Sequence, residues 1–362
     1  MKKGVLLIIS ILLLTGSGCW DRVEIENRAF AVAFGIDTST SNRFRFSTVI
    51  ARPDDNSNGG GDGESGDNDN RGNDSSAEGQ TLIEAMSNLD ARSSRKLSLG
   101  QAKTMVLDRK ILEDKNLFHE VIGVIENSPE IDRAITVLAA NVRVPDILVS
   151  NPDSETKTGY YVVNFYRLAP KSGGRSFQKS FESMTSDLRA TGNTILPLVE
   201  LEEDSGTIQI EGALAIKNYH LAGELDGTQL RGLLWTKNRA CKGAILTIDN
   251  VPMIVRRHRS NLRFSEEAGH LRCIIDVRIK GEVFWFNEEV PGTLKYEQLI
   301  DQEISETIEK LQQELEMDAF NFRRVLKKEK YSIYRKYAND WYQTFVEMEI
   351  IPMVRCEITI RK

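Results

Sequence analysis

The chain has 362 residues, a formal net charge of −6, and 40% hydrophobic and 28% charged residues. That length holds two or three domains, and the composition is that of an ordinary globular protein rather than a fibrous or disordered one. The acidic balance excludes a nucleic-acid binder, because phosphate neutralisation needs clustered Lys and Arg, and it speaks against adhesion to anionic lipid by charge.

The first element is an export signal. Lys2 and Lys3 form a basic start, Gly4 to Leu14 is apolar apart from Ser10, and Thr15-Gly16-Ser17-Gly18 supplies small residues before Cys19. The apolar run is too short to cross a hydrocarbon core of about 30 Å at roughly 1.5 Å per residue. A cysteine directly after the small residues reads as a bacterial lipoprotein signal: residues 1–18 are removed and Cys19 carries the lipid. Gly16 stands where such signals usually have Leu or Val. Two acyl chains make a lasting anchor, since each buried CH₂ contributes about 0.8 kcal/mol. This places the body at the outer face of a membrane. No Gly/Ser tether follows, for Trp20-Asp21-Arg22-Val23-Glu24-Ile25-Glu26 comes at once. The fold is expected close to the bilayer, with Trp20 at headgroup level, where its amphipathic ring is favoured.

Ala29 to Ile36 predicts a buried strand. Phe44, Phe46, Thr48 and Ile50 alternate with Arg43, Arg45, Ser47 and Val49 in a second. Residues 54–79 break the pattern. They are almost wholly Gly, Ser, Asn, Asp and Glu, with a charge of −7. Such a stretch cannot bury enough apolar surface to offset ordering entropy, so a disordered acidic insertion is expected. Asp67, Asp69, Gly72 and Glu78 match a calcium-loop pattern, but Arg71 takes a ligand place and no helix precedes it. The reading is a solvated linker.

Order returns at Gln80. Leu82, Ile83, Met86 and Leu89 have helical spacing, Lys103 to Leu107 reads as a strand, Ile111 to Ile125 as a helix, and Ala134 to Ala139 as a strand. Gly159 to Leu168 and Phe177 to Arg189 read as helices. Ile195 to Leu201 and Thr207 to Lys217 form a hairpin around Asp204-Ser205-Gly206. Ala244 to Ile248, Met253 to Phe264 and Leu271 to Phe286 are β-rich. Leu299, Ile300, Ile304, Ile308, Leu311 and Leu315 mark a long amphipathic helix from about Tyr296. Val354, Cys356, Ile358 and Ile360 alternate with Arg355, Glu357, Thr359 and Arg361 in a closing strand. Helix and strand are expected to pack as one layer, its edge closed by Trp341 and Phe345. The fold class is α+β with mixed or antiparallel sheets. The expected divisions are an N-terminal α/β domain over 19–200 carrying the insertion 54–79, a small middle β-rich domain over 201–255, and a C-terminal α+β domain over 256–362.

Catalytic motifs are missing. His119, His220, His258 and His270 have no metal-site spacing. No G-x-S-x-G turn and no G-x-x-x-x-G-K-[ST] loop occurs. Arg256-Arg257-His258-Arg259 is a dense basic run, read as a solvated strand face with an acidic partner as the alternative. With Cys19 lipidated, Cys241, Cys273 and Cys356 remain, an odd number. Cys273 and Cys356 read as buried small hydrophobes, and a Cys241–Cys273 bridge stays open. The expectation is a non-enzyme with no cofactor and no metal.

The sequence Gly18-Cys19-Trp20-Asp21-Arg22, followed by Glu24-Ile25-Glu26 and Ala33-Phe34-Gly35-Ile36-Asp37, resembles the start of the Ger(x)C lipoproteins, the C subunits of spore germinant receptors. Ile210-Glu211-Gly212-Ala213-Leu214-Ala215-Ile216 with Gly232-Leu233-Leu234-Trp235 is similar to a second landmark. Met317-Asp318-Ala319-Phe320-Asn321-Phe322, with Tyr337, Trp341 and Phe345, is similar to a third. At the third the family usually has Asp-Ile-x-Gly-Phe-Gly, and here Asn321 and Arg323 replace both glycines, which puts the close turn there in question. The resemblance implies a three-domain lipoprotein without known enzymatic activity. It would work beside integral-membrane A and B subunits in the inner membrane of dormant spores, with no catalytic residues to carry over. A reading from another class is a solute-binding lipoprotein that hands a nutrient to the transporter-like subunit.

Overall fold

The computed structural model describes residues 24–51, 74–150, 158–167, 173–202, 206–284 and 291–361. Cys19, Trp20 and residues 54–73 of the acidic segment lie outside the described residues. Strand β1 (Arg28–Asp37) is apolar over most of its length and buried on both faces, as a strand covered by helices on two sides must be. It runs parallel to β5 (Thr104–Asp108), β5 to β6 (Thr136–Ala140), and β6 to β7 (Asn193–Leu201). Antiparallel β2 (Phe44–Ile50) and β3 (Asp74–Gly79) extend one edge. Antiparallel β8 (Ile208–Lys217) and β9 (His220–Leu225) extend the other, and short β4 (Lys96–Ser98) pairs with the start of β1. The described residues thus form a nine-stranded mixed sheet.

Helices α1 (Leu82–Arg92), α3 (Lys115–Glu126) and α6 (Phe181–Thr191) share a core with Phe34, Phe46 and Leu107 on one face. Helices α4 (Val144–Val149) and α5 (Thr158–Arg167) cover Val32, Val106 and Leu138 on the other. The helix expected over Ile111–Ile125 is two helices, α2 (Arg109–Glu113) and α3. Asp114 leaves helical backbone between them, and its carboxylate accepts from Asn116 N at 2.8 Å and Leu117 N at 3.1 Å. That is an N-cap, which stabilises the new helix start by about 1 kcal/mol.

The second sheet is β10 (Ile245–Ile248), β11 (Val251–Glu267), β12 (His270–Phe284) and β13 (Glu349–Arg361), antiparallel except for the parallel β12–β13 pair. Helix α8 (Thr293–Glu309) lies on its inner face and runs into a π turn, Lys310–Glu314. Ile304, Ile308, Leu311 and Leu315 are buried in one core with Val277, Ile279 and Cys356. Trp341 and Phe345, on α11 (Trp341–Glu347), join that core. The predicted helix-and-strand layer therefore forms as the 3.6 and 2.0 periodicities require. β13 is an edge strand with a blunted edge. Glu297 Oε1 accepts from Cys356 N at 2.8 Å, and Pro352, four residues earlier on the same side, has no N–H to offer, which is how proteins protect a free strand.

Two expectations are corrected. Asp74–Gly79 is not linker. It pairs with β2 across six positions, buries Ala77, and engages Glu78 with Arg45 at 2.9 Å. Cross-strand pairing supplies what its composition lacks. The middle domain over 201–255 does not stand alone either. β8 and β9 complete the first sheet, while β10 and β11 open the second. Between them α7 (Gly227–Trp235) and β9 went unread in the sequence, because both are short and glycine-bearing. Excising residues 54–73 with a short Gly-Ser closure is expected to leave the melting temperature nearly unchanged, since loop closure costs about 0.6 kcal/mol per doubling of length. Extending the deletion through Gly79 should lower it, and calorimetry of both deletions distinguishes the two.

The basic run behaves differently at each position. A register shift between Val255 and Arg257 leaves Arg256 and Arg257 both exposed, and His258 turns inward. Arg259, Arg278 and Arg355 then stand directly across three strands, an arrangement that repels. Asp276 sits among them, its carboxyl held below the usual range by the bonded Arg278 and by the fields of Arg355 and Arg263. Cys241, Cys273 and Cys356 are free and buried, so no Cys241–Cys273 bridge forms.

One buried carboxyl in the first sheet is poorly satisfied. Asp37, at the carboxyl end of β1, is 3% exposed, has Oδ1 without a partner, and meets Arg45 only at 3.5 Å. Burial pushes its pKa from 3.8 up to about 7. A raised folded-state pKa means the folded protein holds the proton more tightly than the unfolded chain, so stability falls as pH rises from about 4 through about 7. Asp37→Asn should therefore raise the melting temperature at pH 8, where the term reaches up to about 4 kcal/mol. Near pH 4 it should give no gain. A gain that is the same at both pH values would refute the burial argument.

Candidate functional site at the junction of the two sheets

Four buried polar side chains, His258, Glu303, Thr307 and Asp318, lie around the segment that joins the two sheets. Asp226 and Gln229 form a reciprocal capping box that starts α7 immediately after β9. α7 then lies against α8 so closely that a Cβ on Gly232 would sit 2.1 Å from Thr307 Oγ1 and 2.2 Å from the Glu303 carbonyl oxygen. Only glycine permits that approach. Thr307 Oγ1 donates to Gln229 O at 2.9 Å across the same contact.

Glu303, 3% exposed on α8, is the hub. Arg231 grips it with two prongs, Nε to Oε2 at 2.9 Å and Nη2 to Oε1, and Trp235 Nε1 donates to Oε2 at 2.8 Å. Planar guanidinium suits a carboxylate in this fork geometry. On the other side of Trp235, His258 Nδ1 accepts from Cys241 N at 3.3 Å, which leaves Nε2–H to donate to Trp235 O at 2.9 Å. Burial pushes the His258 pKa down to about 4, so the ring is neutral and structural at physiological pH. Burial also pushes the Cys241 thiol far up, which keeps it unreactive.

A second polar centre lies on Asp318. Its carboxylate accepts from Phe322 N at 3.0 Å, Arg323 N at 2.9 Å and Trp341 Nε1 at 3.1 Å. Burial raises its pKa and these donors pull the other way. Beside it Lys237 Nζ donates to Phe320 O at 2.5 Å, and burial pushes that lysine down to about 8. The turn that the glycine replacements put in question is present. Asn321 takes the left-handed conformation at φ 63°, ψ 32°, and Asn is among the few L-residues that adopt it readily.

Between the sheets a cleft of about 460 Å³ opens, lined by Asn193 and Lys217 on one side and Glu316, Arg323 and Tyr342 on the other. Lys217 Nζ meets Leu315 O at 3.3 Å and Glu316 Oε2 at 3.5 Å, and lies 4.4 Å from the centre of the Tyr342 ring. Glu316 also accepts from Tyr342 Oη. Glu316 therefore belongs to the junction, whereas Glu309 is exposed. The charged groups here are satisfied by one another, the pattern of a joint. Among the described residues no group of three His, Cys, Asp or Glu side chains gathers as metal ligands. Cys19 and Trp20, the residues singled out from the sequence, lie outside the described residues, and Arg231, Glu303 and Lys237 carry no sequence motif that marks them. The D-x-x-Q pair at Asp226–Gln229 before Leu230-Arg231-Gly232-Leu233 is the signal that would have found α7.

Two family profiles cover the chain. Residues 21–201 match "Spore germination protein N-terminal domain" and residues 211–362 match "Spore germination B3/ GerAC like, C-terminal". The boundary falls where β7 turns into β8, inside the first sheet. Spore germination protein B3 of Bacillus subtilis (strain 168) is 20% identical over 94% of this chain and 93% of its own length. Spore germination protein KC of the same organism is 24% identical over 93% and 88%. The crystal structure of the GerBC protein shares the fold, with a TM-score of 0.59 at 15% identity over 90% of this chain and 96% of that one. The chain belongs to the Ger(x)C family of spore germination proteins, and its role is in spore germination.

Proposed function

We propose that this chain is the lipid-anchored C subunit of a spore germinant receptor. Cys19 holds it at the outer face of the cytoplasmic membrane, the inner membrane of the spore, beside integral-membrane A and B subunits. It acts in assembly and signalling and catalyses nothing. The observation that carries this reading is the family match, which begins at residue 21, two residues after the cysteine of the export signal, and runs over nearly the whole remaining chain. Among the described residues no helix is long and apolar enough to cross a membrane, which agrees with anchoring by lipid. The two sheets differ in strand number and order. That favours an assembly subunit over solute capture between two matched lobes, the alternative the sequence left open.

Cys19→Ala tests the anchor. The variant is expected to remain unprocessed or to leave the membrane fraction, and spores relying on this receptor should germinate poorly in its nutrient. Wild-type fractionation with normal germination would overturn the proposal.

A further inference from the structure

The most basic stretch of this acidic chain is not the run at Arg256. Between Phe322 and Tyr337 it carries seven basic residues against one acidic, Glu329, interleaved with Tyr331, Tyr334 and Tyr337. The stretch forms α9 (Phe322–Glu329) and α10 (Tyr331–Tyr337). Phe322 and Leu326 turn into the core, and Lys330 and Lys336 are tied to β11 through Phe264 O and Glu266, both at 2.7 Å. Arg323 is half-buried and donates to Ala338 O at 3.3 Å, and the other four cations face outward. Arg324, Lys327, Lys328 and Arg335 are exposed. Arg324 touches Asp187 only at 3.9 Å, Lys327 lies 5.8 Å from the Tyr334 ring centre, and Lys328 and Arg335 have no ion pair among the described residues. Tyr331 beside them is 58% exposed.

The position of this surface gives it meaning. β1, β5, β6 and β7 are parallel, so their first residues, Arg28 and Asn193 included, lie at one end of the sheet. Asn193 lines the cleft together with Arg323 of α9. Asp187, the contact of Arg324, lies near the end of α6, which leads into β7. Arg323 and Arg324, at the start of α9, therefore stand at the end of the first sheet where β1 begins, with β7 about three strand spacings, roughly 15 Å, from β1.

We infer that α9 and α10 form a membrane-docking surface for anionic phospholipid headgroups, which fixes the body's orientation on the bilayer beside the anchor. Clustered Lys and Arg on an amphipathic segment attract an anionic surface at about 1 kcal/mol per residue, and exposed tyrosine favours the headgroup layer. The local charge is opposite to that of the whole chain, so the effect belongs to one face. The inference rests on the lipid-anchor reading for its orientation and not for its chemistry.

The test is the ratio of partitioning into vesicles containing phosphatidylglycerol over partitioning into pure phosphatidylcholine. It is taken for the full chain, for Cys19→Ala, and for the quadruple variant R324E/K327E/K328E/R335E. The expected ratio for the full chain is roughly ten or more, four charges at about five-fold each less repulsion from the acidic body. It should fall to near one in the quadruple variant, with an unchanged circular dichroism spectrum and melting curve. Cys19→Ala should lower partitioning into both vesicle types and leave the ratio as it was, so failure of the anchor is read separately. A ratio near one for the full chain, or an unchanged ratio in a folded quadruple variant, overturns the inference. Loss of a co-purifying membrane protein in the quadruple variant with the ratio intact would assign the surface to an acidic protein segment instead.

Discussion

Glu303→Ala is expected to destabilise the junction by about 3–5 kcal/mol, the cost of leaving one partner of a buried ion pair alone. The Arg231 guanidinium and the Trp235 N–H both lose their acceptor, and neither can turn to solvent without opening the α7–α8 contact. Denaturant unfolding followed by tryptophan fluorescence reads the change directly, since Trp235 is part of the network. Glu303→Gln keeps an acceptor oxygen and should fall between wild type and alanine. The pair Arg231→Met with Glu303→Leu removes both charges and should recover much of the loss, because apolar replacements of a buried pair are often neutral or better. An unfolding midpoint for Glu303→Ala equal to that of wild type would mean the pair does not hold the two sheets together.

Leu311→Asp should be worse. Leu311 is fully buried in the π turn after α8, inside the core that α8 shares with β12 and β13. A carboxylate there has no partner, and the combined cavity and desolvation cost is several kcal/mol, about the whole stability of a domain. The second sheet should lose cooperative unfolding, seen as loss of near-ultraviolet circular dichroism. Glu309→Lys, two residues away on the exposed side, should change stability by no more than about 0.5 kcal/mol. Native folding of Leu311→Asp would show that the apolar stripe is a docking surface rather than core.

The parts of the fold that were legible in the sequence are those with long periods. The stripe from Ile300 to Leu315 repeats often enough to state both the element and its buried face, and the alternation from Val354 to Ile360 states the strand and the inward side of Val354, Cys356 and Ile358, while Ile360 at its end is exposed. β3 was hidden because Asp74-Ser75-Ser76-Ala77-Glu78-Gly79 has no apolar alternation; its place comes from backbone pairing with β2. The junction was hidden for a different reason. Arg231 and Glu303 are 72 positions apart, and a charged residue in a sequence gives no sign of burial. The basic helices are visible in composition, since Arg323 to Lys336 carries seven basic residues in fourteen. Its meaning depends on which end of the first sheet it shares with the chain's start, and only the parallel order of β1, β5, β6 and β7 gives that.

The proposed role of this chain is that of the anchored subunit of a germinant receptor. Crosslinking in membranes of spores that express it, followed by identification of the attached polypeptides, tests this most directly. Two integral-membrane proteins, the A and B subunits, are expected in the crosslinked product, and both should be lost from it when Cys19→Ala removes the anchor. An abundant membrane-bound chain with no integral-membrane partner attached would contradict it.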